Sequence, residues 1–190
     1  MNVITHLLVG WTLAEHTTKS PRDRALITVA SVVPDLDGLG LIVDAAAPLF
    51  NWTVQWYERF HHQLLHGIPG ALIVTALLTC FATERWRAAG LIFISFHLHL
   101  LGDLLGSRGG GVTDIWPIHY LAPLSNQLTF AWSGQWPLSS WQNFTVTIVL
   151  LVYAFVLAVQ RGYSPVGLVS KRADKAFVET LRQRWRSLKR

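Results

Sequence analysis

Apolar residues in this chain come in long, nearly uncharged runs, separated by short polar segments that hold most of the charge. Phe144 to Val159 is the clearest run; it carries no charge and ends at Gln160-Arg161. At about 1.5 Å per residue, and with its flanks, it predicts a helix that crosses a bilayer core of about 30 Å. Ile68 to Ala82 and Ala88 to Leu105 predict two further apolar helices. Only the turn Glu84-Arg85-Trp86-Arg87 separates them, so they should form an antiparallel hairpin. The N-terminal third is more broken. Val3 to Ala14 reads as a short apolar helix, 17–24 as polar, and Ala25 to Val33 as apolar again. Pro34-Asp35-Leu36-Asp37-Gly38 interrupts the run before Leu39 to Phe50 resumes it, with the acid Asp44 inside. Carboxylates in such a stretch are expensive in lipid and should face a cavity, a partner or a metal. The predicted fold is all-α, a multi-pass membrane helical bundle of about four spans or half-spans over residues 1–163. A basic tail at 164–190 should supply a C-terminal cytoplasmic helix.

Composition supports lipid as part of the solvent. Of 190 residues, 51% are apolar and 14% charged, where a soluble domain carries about 25% charged residues. The single cysteine, Cys80, excludes a disulfide within the chain and a zinc site built on thiolates. Any metal must therefore be held by His, Asp and Glu. Met1 to Ala14 has no basic leader and no small-residue cleavage site, and reads as mature protein.

The net charge of +5 is unevenly placed. Segments 17–24, 84–87 and 161–190 hold 14 of the 16 Lys and Arg residues, leaving only Arg59 and Arg108 elsewhere. The positive-inside rule puts those three segments in the cytoplasm, and 51–66 and 106–143 outside. The alternation along the chain is self-consistent. Beside an apolar span, the basic tail points to anionic lipid and not to specific nucleic acid. Trp52, Trp56, Trp116, Trp132, Trp136 and Trp141 fall in the outer segments, as a headgroup belt or as the core of a small lid. Gly106 to Gly111 reads as a solvated turn, with a phosphate cradle of backbone N–H groups and Arg108 as the alternative.

Seven of the eight histidines lie near other candidate ligands. His99 and Asp103, four apart, share one helix face and can bind one cation, or Asp103 can bridge two. His61-His62-Gln63-Leu64-Leu65-His66 offers three imidazoles just before a span, and spacing does not decide which two bind. At the Pro34 break both acids can turn towards a cation, with Asp35 the preferred ligand; the alternative is a helix cap. If Val3–Ala14 descends and Ala25–Val33 returns, His6 meets Asp35 at one level. The charge map puts His61, His66, His99 and Asp103 at that level too. His119 lies on the same side, towards substrate, whereas His97 should pack against a neighbour and His16 has no assigned role.

In these residues the chain resembles the membrane-bound metal-dependent hydrolases of the bacterial inner membrane. The matches are Thr5-His6, Pro34-Asp35-Leu36-Asp37, His61 with His66, and His99 with Asp103, over roughly residues 1–120. There are departures. His62 stands in place of an Arg whose role it can take over, Leu65 and Gly67 in place of Thr and Ser, and Leu98 in place of Ser. The His-x-x-x-Asp element is also similar, more distantly, to zinc-dependent phospholipase C. The resemblance implies one to three divalent ions, zinc foremost, on His6, Asp35, His61, His66, His99 and Asp103. Asp35 or Asp37 would accept the proton of water, and His62, Arg108 and His119 would face substrate. The implied activity is hydrolysis of a phosphoester in a membrane lipid, on the extracytoplasmic side of the inner membrane. The rival is a non-enzymatic membrane protein that binds or transports a divalent metal, in which polar residues should continue to the cytoplasmic face. A further alternative makes the tail a recruiter of a cytoplasmic partner.

Overall fold

The structure, a computed structural model, describes residues 1–53, 55–61 and 63–187. Helix α1 spans Val3–Thr17 and α2 spans Pro21–Ala30. Each start is capped: the Asn2 side chain accepts from Thr5 N–H, and Ser20 from Asp23 N–H, with Pro21 in the first turn. The polar segment of the sequence reading is therefore partly helical, since α2 begins inside it. Helix α2 ends at Ala30, and Pro34 stands in the first turn of the element that follows, at the interruption expected there. A 3₁₀ stretch, Val33–Leu39, follows, then α3 (Gly40–Ala46) and a 3₁₀ turn at Ala47–Phe50. Together Val33–Phe50 bends 49° away from α2, as one broken span or a re-entrant loop. The short helix α4 (Trp56–Phe60) is tied back to α3, where Asp44 accepts from the N–H groups of Trp56 and Tyr57 at 2.6 and 2.8 Å.

The predicted hairpin is α5 (Ile68–Thr79) and α6 (Arg85–Gly106). Asp23 of α2 closes its turn, accepting from Thr83 and Glu84 N–H at 2.7 and 3.1 Å. Helix α7 (Trp141–Arg161) stops at Gly162, whose φ of 87° lies in the left-handed region that suits glycine. The chain then folds back through α8 (Lys171–Ser187). Arg182 of α8 donates to the carbonyls of Val159 and Gln160 at the end of α7, and the Phe177 ring lies tilted against Phe155, 5.9 Å between centroids. Helices α6 and α7 are long and apolar enough to cross a membrane, and α5 is a shorter apolar helix.

Small residues let the helices approach closely. Ala14, Ile27, Ala30, Ala71, Ala88, Ile92 and Phe96 fill the interior between α1, α2, α5 and α6. Leu8 and Trp11 fasten α1 to Ala154 and Leu157 of α7. The outward faces are apolar instead of polar. Leu72, Ile73 and Leu77 on α5, Phe144, Ile148, Val149 and Val152 on α7, and Leu41 and Ile42 on α3 are all exposed. That inversion is expected where lipid covers the surface.

Beyond α6 the chain covers one end of the bundle with loops and a two-stranded ribbon, β1 (Ile118–His119) and β2 (Thr129–Phe130), that the sequence reading did not foresee.

Candidate metal centre

Four stretches distant in sequence bring histidines and acids to this covered end. Helix α1 supplies His6 near its start, and α6 supplies His99 and Asp103 one turn apart near its end. The 3₁₀ break supplies Asp35 and Asp37, and the loop before α5 supplies His61 and His66. His6 Nε2 lies 3.1 Å from Asp103 Oδ1, and His99 Nε2 lies 2.9 Å from Asp103 Oδ2 and 3.8 Å from Asp35 Oδ1. Ligand atoms of His6, Asp35, His99 and Asp103 all lie within 4.8 Å of one another. Tetrahedral ligands about 2.1 Å from one ion sit about 3.4 Å apart, so this grouping could hold a metal ion with small adjustments.

His66 borders the four-residue group. Its Nε2 is 3.5 Å from Asp103 Oδ2 and 3.2 Å from His99 Nε2, while its Nδ1 meets Asp37 Oδ2 at 2.9 Å. His61 lies one step further out, its Nδ1 2.9 Å from Asp37 Oδ1. Asp37 thus ties together the two imidazoles of the second cluster, whereas Asp35 turns to the first. The Met1 ammonium also contacts Asp103 Oδ1.

The chemistry of the donors fits a cation. His99 Nδ1 faces the Ser31 carbonyl at 2.9 Å. A carbonyl only accepts, so Nδ1 carries the proton and Nε2 presents its lone pair to Asp103. The 2.9 Å approach of Nε2 to Asp103 Oδ2 is then no hydrogen bond. Asp103 Oδ2 and Asp35 Oδ2 are indeed buried without a hydrogen-bond partner. Lone pairs and carboxylate oxygens gathered away from water are unfavourable unless positive charge sits among them. In the metal-free protein part of that charge is a proton on His66. Burial pulls its imidazole down, but the carboxylates of Asp103 and Asp37 beside it outweigh burial and push it up to about 9.

The outlying candidates are dispersed. His119 bonds Thr129 Oγ1 at 3.1 Å and lines a groove of about 350 Å³ with Tyr57, His61, Gln63, Asp114 and Trp116. Arg108 is not among the residues lining that groove; its backbone pairs with Trp136 and Leu138 in the loops. His62 lies outside the described residues, as do Lys189 and Arg190 of the tail. His97 bonds the Tyr120 hydroxyl at 2.9 Å, and His16 meets Tyr153. Sequence reasoning did not single out the residues that hold the site in place. Ser31 donates to the His6 carbonyl at 2.8 Å, and Gln135 Nε2 to the Asp103 carbonyl at 2.9 Å. A lone serine or glutamine carries no mark of such a role in one sequence. Tyr57 and Trp116 were legible only as aromatics.

Fold and site together define a helical membrane protein with a buried cluster of imidazoles and carboxylates that could hold a metal ion. The model of the YdjM inner membrane protein family matches residues 1–170, and the chain belongs to that family. The resemblance read from the sequence motifs is upheld by this match. No curated protein and no solved structure matches the chain.

Proposed function

We propose that this protein is a metal-dependent hydrolase that cleaves a phosphoester carried by a membrane lipid. The observation that carries the reading is a pair of buried carboxylate oxygens without hydrogen bonds, Asp35 Oδ2 and Asp103 Oδ2, on two acids whose ligand atoms lie within 4.8 Å of those of His6 and His99. His6, Asp35, His99 and Asp103 would hold a divalent ion, zinc foremost given the imidazole-carboxylate donors, with His66 at hand for a second. A bound divalent ion supplies a Lewis acid and lowers the pKa of water to about 7. Asp35, the least buried of the four, or Asp37 would accept the proton of that water. His61 lines the groove that His119 also lines and reaches the cluster through Asp37 and His66. Burial, then the carboxylates of Asp37 and Asp35, push the Tyr57 phenol up, so it stays a neutral donor towards a phosphoryl oxygen.

A lipid substrate suits the surroundings. Leu39, Leu41, Ile42, Leu49, Phe50 and Trp52 leave an exposed apolar lip beside Tyr57, where an acyl or isoprenoid chain can stay in the bilayer. The positive-inside rule places the basic end in the cytoplasm and the cluster on the extracytoplasmic side. At a charged bilayer surface, as distinct from neutral detergent, the cations of α8 would then be drawn diffusely to anionic lipid by about 1 kcal/mol each. Metal transport fits less well. Ala14, Ile27, Ala30, Ala88 and Ile92 close the interior between the cluster and the basic end.

The test is purification in detergent, metal counting, and turnover of phospholipids and isoprenoid phosphates. Wild type should hold metal and turn over a lipid phosphoester, chelation should abolish turnover, and zinc should restore it. If His99→Ala matches wild type in both metal content and turnover, the reading fails. Proton linkage gives a second expected result. Because the His66 proton must leave before a cation can sit beside it, metal affinity should rise with pH up to about 9 and level off above it. Titration calorimetry in buffers of different ionisation enthalpy should record proton release at pH 7. In His66→Ala that release should fall.

A further inference from the structure

The opposite end of the bundle holds a second polar feature that the metal reading leaves unused. From Asp103 to Arg87 along α6 is about 24 Å at 1.5 Å per residue. There, a cavity of about 1350 Å³ opens between the end of α1, the start of α2, the α5–α6 turn, the end of α7 and the start of α8. Six cations line it, Lys19, Arg22, Arg24, Arg87, Arg161 and Lys171, against three carboxylates, Glu15, Glu84 and Asp174.

All three carboxylates are already engaged within the wall. The buried Glu15 takes Arg24 at 3.3 Å, the Tyr163 hydroxyl at 2.6 Å, and Arg161. Asp174 accepts from Ser164 N–H and its hydroxyl at 2.9 and 2.6 Å, and Glu84 pairs with Arg87 at 3.4 Å. That leaves a surplus of three positive charges. Among the described residues Lys19, Arg22 and Lys171 form no ion pair, and all three are exposed. The floor is fixed, since the Arg24 guanidinium lies 4.0 Å over the Tyr163 ring. Cations on a convex surface diverge into water. Here they converge on one concavity, from chain segments far apart in sequence. The hydroxyls of Ser20 and Thr83, 3.3 Å apart at the rim, add neutral donors.

We infer that this cavity binds a phosphate-bearing anion. Converging Arg and Lys donors match the several oxygens of a phosphate, which one carboxylate ligand would leave partly unused. The volume is much larger than a lone phosphate needs, with each water of liquid occupying about 30 Å³. The ligand therefore carries more than its phosphate, as a lipid headgroup or a phosphorylated solute does. The inference rests on the cavity alone and stands apart from the proposed hydrolase.

The test uses the full chain in a neutral detergent, with three probes: monomeric dihexanoyl-phosphatidylglycerol, glycerol 3-phosphate, and dihexanoyl-phosphatidylcholine. Wild type should bind at least one of the first two and not the third, whose phosphate is paired with its own cation. The variant Lys19→Gln/Arg22→Gln/Lys171→Gln should weaken that binding by at least about tenfold, with melting temperature and metal content unchanged. Arg184→Gln/Arg186→Gln, on the far part of α8, should leave it intact. Binding of phosphatidylglycerol alone identifies a headgroup site; comparable binding of glycerol 3-phosphate identifies a free solute. Failure of wild type to bind either anion overturns the inference. So does equal binding by the cavity variant, or equal loss in the α8 variant.

Discussion

Asp103→Ala should strip the protein of its metal. Its carboxylate stands within 3.5 Å of a nitrogen on each of three imidazoles, and contacts the Met1 ammonium as well. No other acid in the cluster reaches so many donors. Outer partners of metal ligands typically cost about 10–100-fold in affinity when removed, and Asp103 lies inside the ligand group, so a loss of at least about 100-fold follows. Stability falls too, because removing one partner of a buried charge pair costs about 3–5 kcal/mol. The two effects separate in one experiment. Asp103→Asn keeps volume and a carbonyl oxygen, so it should recover part of the melting temperature while metal counted by plasma mass spectrometry stays low. Wild-type metal content in both variants would remove Asp103 from the site.

Gly10→Ala and Gly90→Ala should move stability in opposite directions. Both glycines sit inside helices, α1 and α6, where alanine is intrinsically better by about 1 kcal/mol. A Cβ at Gly90 meets nothing within 4 Å, so that gain should appear nearly whole. A Cβ at Gly10 would run into the Ser31 side chain and come within 3.1 Å of Ser95 Oγ. Neither can retreat. Ser31 Oγ is held by the carbonyls of His6 and Thr28, and Ser95 Oγ by the carbonyl of Ile27, each at 2.7–2.8 Å. Overpacking of this kind costs about 1–3 kcal/mol, which for a chain of this size lowers the melting temperature by about 2–12 °C. Because Ser31 also holds His99 through its carbonyl, Gly10→Ala should weaken metal binding from a position outside the ligand group. Thermal melts with and without metal check both statements. A stabilised Gly10→Ala would mean that α1 and α2 are not packed as described.

Much of this arrangement was legible in the chain, for identifiable reasons. Spans showed because lipid tolerates so little charge: Phe144 to Val159 and Ala88 to Leu105 fall within α7 and α6. The pair His99 and Asp103 showed because helical periodicity fixes which residues share a face. The meeting of His6 with Asp35 needed only two antiparallel helices of similar length. Other features depend on tertiary contact and leave no local trace. Asp37 turning to His61 and His66, while Asp35 turns to His99, follows from the path of a 3₁₀ break that residue types do not specify. Ser31 and Gln135 matter only through the carbonyls they meet. The ribbon at Ile118 and Thr129 pairs two residues on each side, too short for a periodic signal. Glu15 leaves no local trace either: an acid near a helix end usually faces water, whereas here it is buried under two arginines.

The solitary thiol of Cys80 is exposed where α5 ends, four residues before Glu84 at the basic pole. It is therefore a built-in reporter of topology that needs no mutagenesis. A maleimide too polar to permeate should leave intact spheroplasts unlabelled and react readily in inverted vesicles. The reverse pattern would place the histidines on the cytoplasmic surface.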